Sequence, residues 1–142
     1  MRVALGGDHA AFSLKKDIKE YLIEQRITVD DLGTYTLESC DYPDIAQPLC
    51  EKVITGEYDR GILICGTGIG MSIAANKIKG VRAALCHDVY SARLTRNHND
   101  SNILCMGARI IGSGLALRIV QEWLSQEFKG GRHKIRIGKL ER

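Results

Sequence analysis

Short unbroken apolar runs alternate along the chain with longer stretches in which apolar residues recur every three or four positions among charges. The runs predict strands, and those without a polar break predict strands covered on both faces. They are Arg2–Gly7 (RVALGG), Gly61–Cys65 (GILIC, the strongest), Val81–Cys86 and Ile103–Ala108, with a weaker one (ITVDDL) at Ile27–Leu32. The periodic stretches predict helices. Ala10–Gln25 carries Phe12, Leu14, Ile18, Leu22 and Ile23 among charges, and Pro43 opens a helix that reaches Thr55 before Gly56 stops it. A third helix follows residues 66–70 and runs through Lys79 to Gly80, and a fourth spans Val89–Arg96. Ser113 caps a fifth, which carries Leu115, Leu117, Ile119, Val120, Trp123 and Leu124.

Five strands separated by helices predict a right-handed parallel α/β sheet in three layers. No linker or repeat divides residues 1–142, so a single domain is expected. Ligands of such sheets sit beyond the carboxyl ends of the strands. That rule singles out GGDH at 6–9, CGTGIG at 65–70, CHD at 86–88 and GAR at 107–109.

Composition narrows the class. With 142 residues, 44% hydrophobic and 26% charged, the chain matches an ordinary globular domain. No run approaches the roughly 20 apolar residues of a membrane span, and the N-terminus carries no cleavage pattern. The five cysteines, at 40, 50, 65, 86 and 105, are odd in number and contain no C-x-x-C pair. Neither a disulfide framework nor a zinc site is indicated, and reduced thiols point to the cytoplasm. The net charge is +3, yet residues 129–142 hold six Lys or Arg against one Glu, so the other 128 residues sum to −2. Such a basic tail suits nucleic acid, a small anion, or plain solvation. Its lack of interleaved aromatics argues against nucleic acid. Ile135 and Ile137 leave helix and strand both open for the tail, and either aligns Arg132 with Arg136.

CGTGIG places converging amides at a helix N-terminus, a setting that suits an anion. It is not a dinucleotide fingerprint, because the spacing is G-x-G-x-G after the third strand. It is not a Walker loop, because no Gly-Lys-Ser/Thr follows. It is not a cysteine-phosphatase loop either, because Met71 stands where an arginine is needed. What remains is a thiol beside main-chain donors, at what should be the open rim of the sheet. Taken alone, Cys65 reads first as a small residue ending a strand. Asp8 with His9 reads equally as a helix cap or a functional pair. His98 lies in the polar stretch TRNHNDSN (95–102), just past a helix end.

Six segments, in order over essentially the whole chain, resemble the ribose-5-phosphate isomerase B family. They are GGDHAAF (6–12), DYPDIA (41–46), CGTGIGMSIAANK (65–77), TRNHND (95–100), GAR (107–109) and RHKIRI (132–137). That family also includes galactose- and allose-6-phosphate isomerases. The resemblance implies a Rossmann-like domain that forms a homodimer or tetramer, with each active site shared between subunits. It implies aldose–ketose isomerisation of a sugar phosphate without metal or cofactor, as in the pentose phosphate pathway. Carried over by position, it makes Cys65 the base between C1 and C2, with Thr67 beside it. The amides of Gly66, Thr67, Gly68, Ile69 and Gly70 then hold the enediolate, His98 opens the furanose ring, and Asn99 binds a hydroxyl. His9, Arg109, Arg132 and Arg136 gather round the phosphate, Asp8 binds the sugar, and Tyr42 and His133 line the pocket. The basic tail thereby becomes an anion clamp and a dimer contact.

The leading alternatives are a hexose 6-phosphate isomerase and a non-catalytic phosphate- or nucleotide-binding module on the same fold.

Overall fold

The apolar runs become a parallel sheet and the periodic stretches become its two covering layers. The computed structural model describes residues 1–141; Arg142, the last residue of the basic tail, lies outside the described residues. In chain order the elements are β1 (Arg2–Gly7), a 3-10 turn (His9–Ala11), α1 (Phe12–Glu24), β2 (Thr28–Asp31), α2 (Tyr42–Ile54) and β3 (Arg60–Cys65). They continue as α3 (Ile69–Asn76), β4 (Ala83–Leu85), α4 (Val89–Asn99), β5 (Ile103–Gly107), α5 (Ser113–Ser125) and α6 (Arg132–Leu140). All strands are parallel, in the order β2-β1-β3-β5-β4.

Successive strand residues point to opposite faces, and both faces of the central strands are apolar, so two cores form. Val3, Leu5, Ile62, Ile64, Leu104 and Met106 pack with Ile18 of α1, Ala92 of α4 and Trp123 of α5. Ala4, Leu63, Cys65, Ile103 and Cys105 pack with Leu49 of α2 and Met71 of α3. The reacting thiol expected from the sequence therefore faces the α2–α3 side. The chain leaves β1 for β2 at one edge and then returns to β3 on the other side of β1. The loops after β1 and β3 part in opposite directions, which makes a crevice at that switch point.

Several boundaries differ from the periodicity. β4 keeps only Ala83–Leu85, because the Asn102 side chain takes Arg82 N–H (2.8 Å) and Gly80 C=O (2.9 Å). The free side of β4 is partly occupied, since the Asn76 amide both donates to and accepts from Ala83 (3.0 and 2.9 Å). α3 ends at Asn76, short of Lys79. Ser113 is the first residue of α5 rather than its cap; Gly112 takes the cap position, with no side-chain bond. α4 runs through the polar stretch to Asn99, so His98 lies in its last turn and not in a loop. Tertiary bonds stabilise that extension: Arg96 Nη1 donates to Ser101 C=O (2.7 Å) and buried Asn97 donates to Glu127 C=O (2.8 Å). The basic tail, open between helix and strand in the sequence, is a helix.

Candidate active site

At the carboxyl end of β1, Asp8 N–H donates to Ile64 C=O (3.1 Å), which holds Asp8 against the end of β3. Its Oδ1 accepts from Ala10 N–H (3.0 Å) and caps the turn leading into α1. Asp8 is thus both a cap and a buried carboxylate, 7% exposed. His9 Nδ1 accepts from Cys40 N–H (3.3 Å), which ties the 34–41 loop to the crevice. In the neutral ring that bond leaves the proton on Nε2, free to donate.

Cys65 ends β3, and its sulfur accepts from Gly68 N–H at 3.1 Å. A donor aimed at sulfur stabilises negative charge there. The residue is only 5% exposed. The thiol therefore lies buried beneath its own loop rather than at an open rim, because its side chain follows Leu63 onto the packed α2–α3 face. The loop doubles back over the end of β5, and two glycines make this possible. At Gly68 the backbone is left-handed (φ +77°), and a Cβ would stand 2.7 Å from the Met106 carbonyl carbon. At Gly107 a Cβ would meet the Thr67 carbonyl carbon at 2.6 Å. Thr67 is exposed, and its Oγ1 accepts from Ile69 N–H (3.3 Å). Two of the five amides expected to hold an enediolate, those of Gly68 and Ile69, thus serve the loop itself. Those of Gly66, Thr67 and Gly70 find no acceptor among the described residues. The Arg109 guanidinium lies against Gly66, whose Cβ would sit 3.2 Å from Nη1. Tyr42, the first residue of α2, sets its ring against Gly70 in the same way, 2.7 Å from that position.

Burial pushes the Cys50 and Cys86 thiols up to about 12, and Cys105 well above the ordinary thiol value. They are inert core residues.

The other expected residues assemble elsewhere. His98 stacks on His133 of α6, with ring centroids 4.2 Å apart and planes 10° from parallel. Burial, followed by neighbouring positive groups (His98 on protonation, Arg132, Arg136 and Lys129), holds the His133 imidazole below its ordinary value. Arg132, Arg136 and Asn99 are exposed. This group lies by the amino ends of β3 and β5, since Asn102, just past α4, accepts from Gly61 N–H (3.0 Å). Cys65 pairs with Gly107 at the other end, four residues along. At roughly 3.3 Å per residue, the two levels are about 13 Å apart along the strands. One chain therefore gathers Asp8, His9, Tyr42, residues 65–70 and Arg109 in one place, and His98, Asn99, Arg132, His133 and Arg136 in another.

Two supporting residues escaped the sequence reading. His87 Nε2 accepts from Gly107 N–H (3.0 Å), replacing the strand partner that short β4 fails to supply. The CHD segment at a strand end was its only signal. Asn97, 4% exposed, also binds Lys129 N–H through its carbonyl (3.1 Å) and so fixes the approach to α6. Among the described residues, no group of three or more His, Cys, Asp or Glu could hold a metal ion, and no helix is long and apolar enough to cross a membrane.

The Ribose/Galactose Isomerase family model matches residues 3–140. The chain is 48% identical over 136 residues to ribose-5-phosphate isomerase B of Escherichia coli, covering 96% of this chain and 91% of that protein. It is 45% identical over 141 residues to D-erythrulose-4-phosphate isomerase of Pectobacterium atrosepticum, covering 99% and 93%. The solved ribose-5-phosphate isomerase B of Clostridium thermocellum superposes with a TM-score of 0.98 at 51% identity, covering 99% and 95%. These likenesses set aside the non-catalytic module. The crevice glycines, the thiol beneath their loop and the five-stranded order thus have one common explanation: the chain is an isomerase and belongs to the ribose/galactose isomerase family.

Proposed function

We propose that this isomerase interconverts ribose 5-phosphate and ribulose 5-phosphate in the cytoplasm through an enediolate, with Cys65 as the base. The observation that carries this reading is the Cys65 sulfur lying under the Gly68 amide, with the Arg109 guanidinium against the same loop. In the aldose-to-ketose direction, the thiolate removes the C2 proton and the C1 carbonyl electrons move onto oxygen. The proton returns to C1, and the O2 proton passes to O1. Donors aimed at the developing oxyanion are each worth about 2.7–4 kcal/mol; the uncommitted amides of Gly66, Thr67 and Gly70 suit that task. Thr67 and Asp8 hold the sugar hydroxyls, and Arg109 and His9 face its phosphate. His98 opens the ring and Asn99 binds a hydroxyl. The five cysteines are free thiols, consistent with a reducing compartment.

The site is shared within a homodimer, in which the His98–α6 group of one subunit completes the Cys65 crevice of the other. The roughly 13 Å between the two groups along the strands supports this arrangement. So does α6, which leaves Ile135 66% and Leu140 69% exposed. Mixing two inactive variants tests it. A Cys65→Ala chain paired with a His98→Asn chain retains one intact site, so random re-pairing should restore about a quarter of wild-type turnover. No recovery after confirmed subunit exchange refutes sharing.

Ribose 5-phosphate is distinguished from the four-carbon and six-carbon alternatives by assaying the purified homomer in heavy water with ribose, allose and galactose phosphates and with erythrulose 4-phosphate. Ribose 5-phosphate is expected to give the highest kcat/KM, with deuterium at the isomerised carbon. A clear preference for another sugar overturns the assignment. For the clamp, Arg136→Ala should raise KM about tenfold or more with little change in kcat, since the phosphate is a non-reacting handle. An unchanged KM refutes it.

A further inference from the structure

We propose that Arg82 is a positioning residue for this reaction, one guanidinium fixing the α4 turn that carries His98 and Asn99 relative to the α6 helix that carries Arg132, His133 and Arg136. The inference rests on the reading of α6 as a phosphate clamp and adds what sets its geometry.

Arg82 stands just before β4. Its N–H donates to Asn102 Oδ1 (2.8 Å), and its C=O accepts from Asn102 N–H (3.1 Å), so the stem is anchored at the amino edge of the sheet. From there the side chain reaches two elements at once. Nε donates to Asn99 C=O (3.0 Å) and Asp100 C=O (3.1 Å), and Nη2 meets Asp100 Oδ2 at 3.3 Å. These are the last carbonyls of α4, where a cation also complements the helix dipole. Nη1 donates to Glu141 Oε1 (2.7 Å), at the C-terminal cap of α6. Only a planar fork serves four acceptors on two elements in this way; a lysine cannot.

α6 needs such a tie. His133 is its one buried residue, and it begins after Gly130 and Gly131, both at positive φ. Among the described residues, the Arg82–Glu141 pair is the sole side-chain hydrogen bond between α6 with its cap and the rest of the chain. The remaining attachments are the His98–His133 stack and the Asn97 bonds just upstream. Arg82 and Glu141 side chains are 22% and 31% exposed, and pairs this accessible contribute little to global stability. What the pair can set is where the two tail arginines stand.

The test uses the full chain and the ribose 5-phosphate assay. Glu141→Gln removes only the ionic arm to α6. KM should rise about fivefold, near the ceiling for an exposed ion pair, with kcat and the melting temperature unchanged. Arg82→Gln removes both arms, so it should raise KM at least as much and also lower kcat on ring-closed substrate. Glu141→Gln should then add nothing in the Arg82→Gln background. An unchanged KM in Glu141→Gln, or losses that simply add in the double variant, overturns the proposal. Should Arg82→Gln fail to fold, Glu141→Gln alone decides. Arg136→Ala measured alongside separates the two ideas. If it leaves KM unchanged, the clamp reading falls; if it raises KM while Glu141→Gln does not, only the role of Arg82 falls.

Discussion

Cys65→Ala is expected to lower kcat by at least 10²–10⁴-fold, the range a positioned base contributes, while binding of inorganic phosphate changes by less than about threefold. One atom has two tasks here. In the proposed mechanism the sulfur removes the carbon-bound proton; it also accepts from the Gly68 N–H (3.1 Å). Alanine loses both and leaves that amide unpaired, at a cost of about 1–3 kcal/mol if it stays dry. Cys65→Ser keeps the size and the acceptor but replaces the thiol with a hydroxyl that is scarcely ionised at neutral pH. Serine should therefore restore the melting temperature without restoring turnover. Steady-state kinetics and thermal denaturation on both variants check this. A serine enzyme within tenfold of wild type would remove Cys65 as the base; Cys50, Cys86 and Cys105 are pushed far up by burial, and Cys40→Ser, on the loop tied to His9, should leave turnover unchanged.

Gly68→Ala should be nearly as damaging while leaving the thiol in place. Alanine at φ +77° is strained by about 1–2 kcal/mol. Its Cβ would also press on the Met106 backbone (2.7 Å to the carbonyl carbon) and on Leu85 Cδ1 (2.6 Å). The backbone of β5, paired on both sides, does not yield, so the loop must move instead. The Gly68 amide then leaves the sulfur and the neighbouring donors lose their aim. A displacement near 1 Å in such a site costs about 10²-fold, so kcat should fall on that order with phosphate binding weakened. Kinetics paired with far-UV circular dichroism distinguish a displaced loop from an unfolded chain. Wild-type turnover would mean that the loop geometry is not what activates Cys65.

The parallel sheet was legible because its central strands are unbroken apolar runs, and the covering helices because their stripes recur near the helical period. Boundaries failed where side chains replaced main-chain partners. Asn102 shortens β4, and buried Arg96 and Asn97 carry α4 through a stretch that looks like solvated loop. The CGTGIG loop was readable because glycines between a buried strand and a helix have few other uses. Its depth was not, since the face taken by Cys65 depends on the pleat and on Met71 and Cys105 packing around it. The separation of the candidate residues into two groups was invisible for a simpler reason. α4 runs back along the sheet, so residues that follow a rim loop by ten positions end at the opposite rim.

The amide of Asn76 has a consequence for how copies of this chain can meet. A sheet border normally offers neighbouring molecules a row of free peptide groups onto which a foreign strand can zip. Here that border is three residues long, and its first residue, Ala83, already has both groups taken. That leaves the peptide groups of Leu85 as the remaining open ones on this border, too short a row to seed a strand, so copies that associate on this flank must fit together mainly by shape and charge.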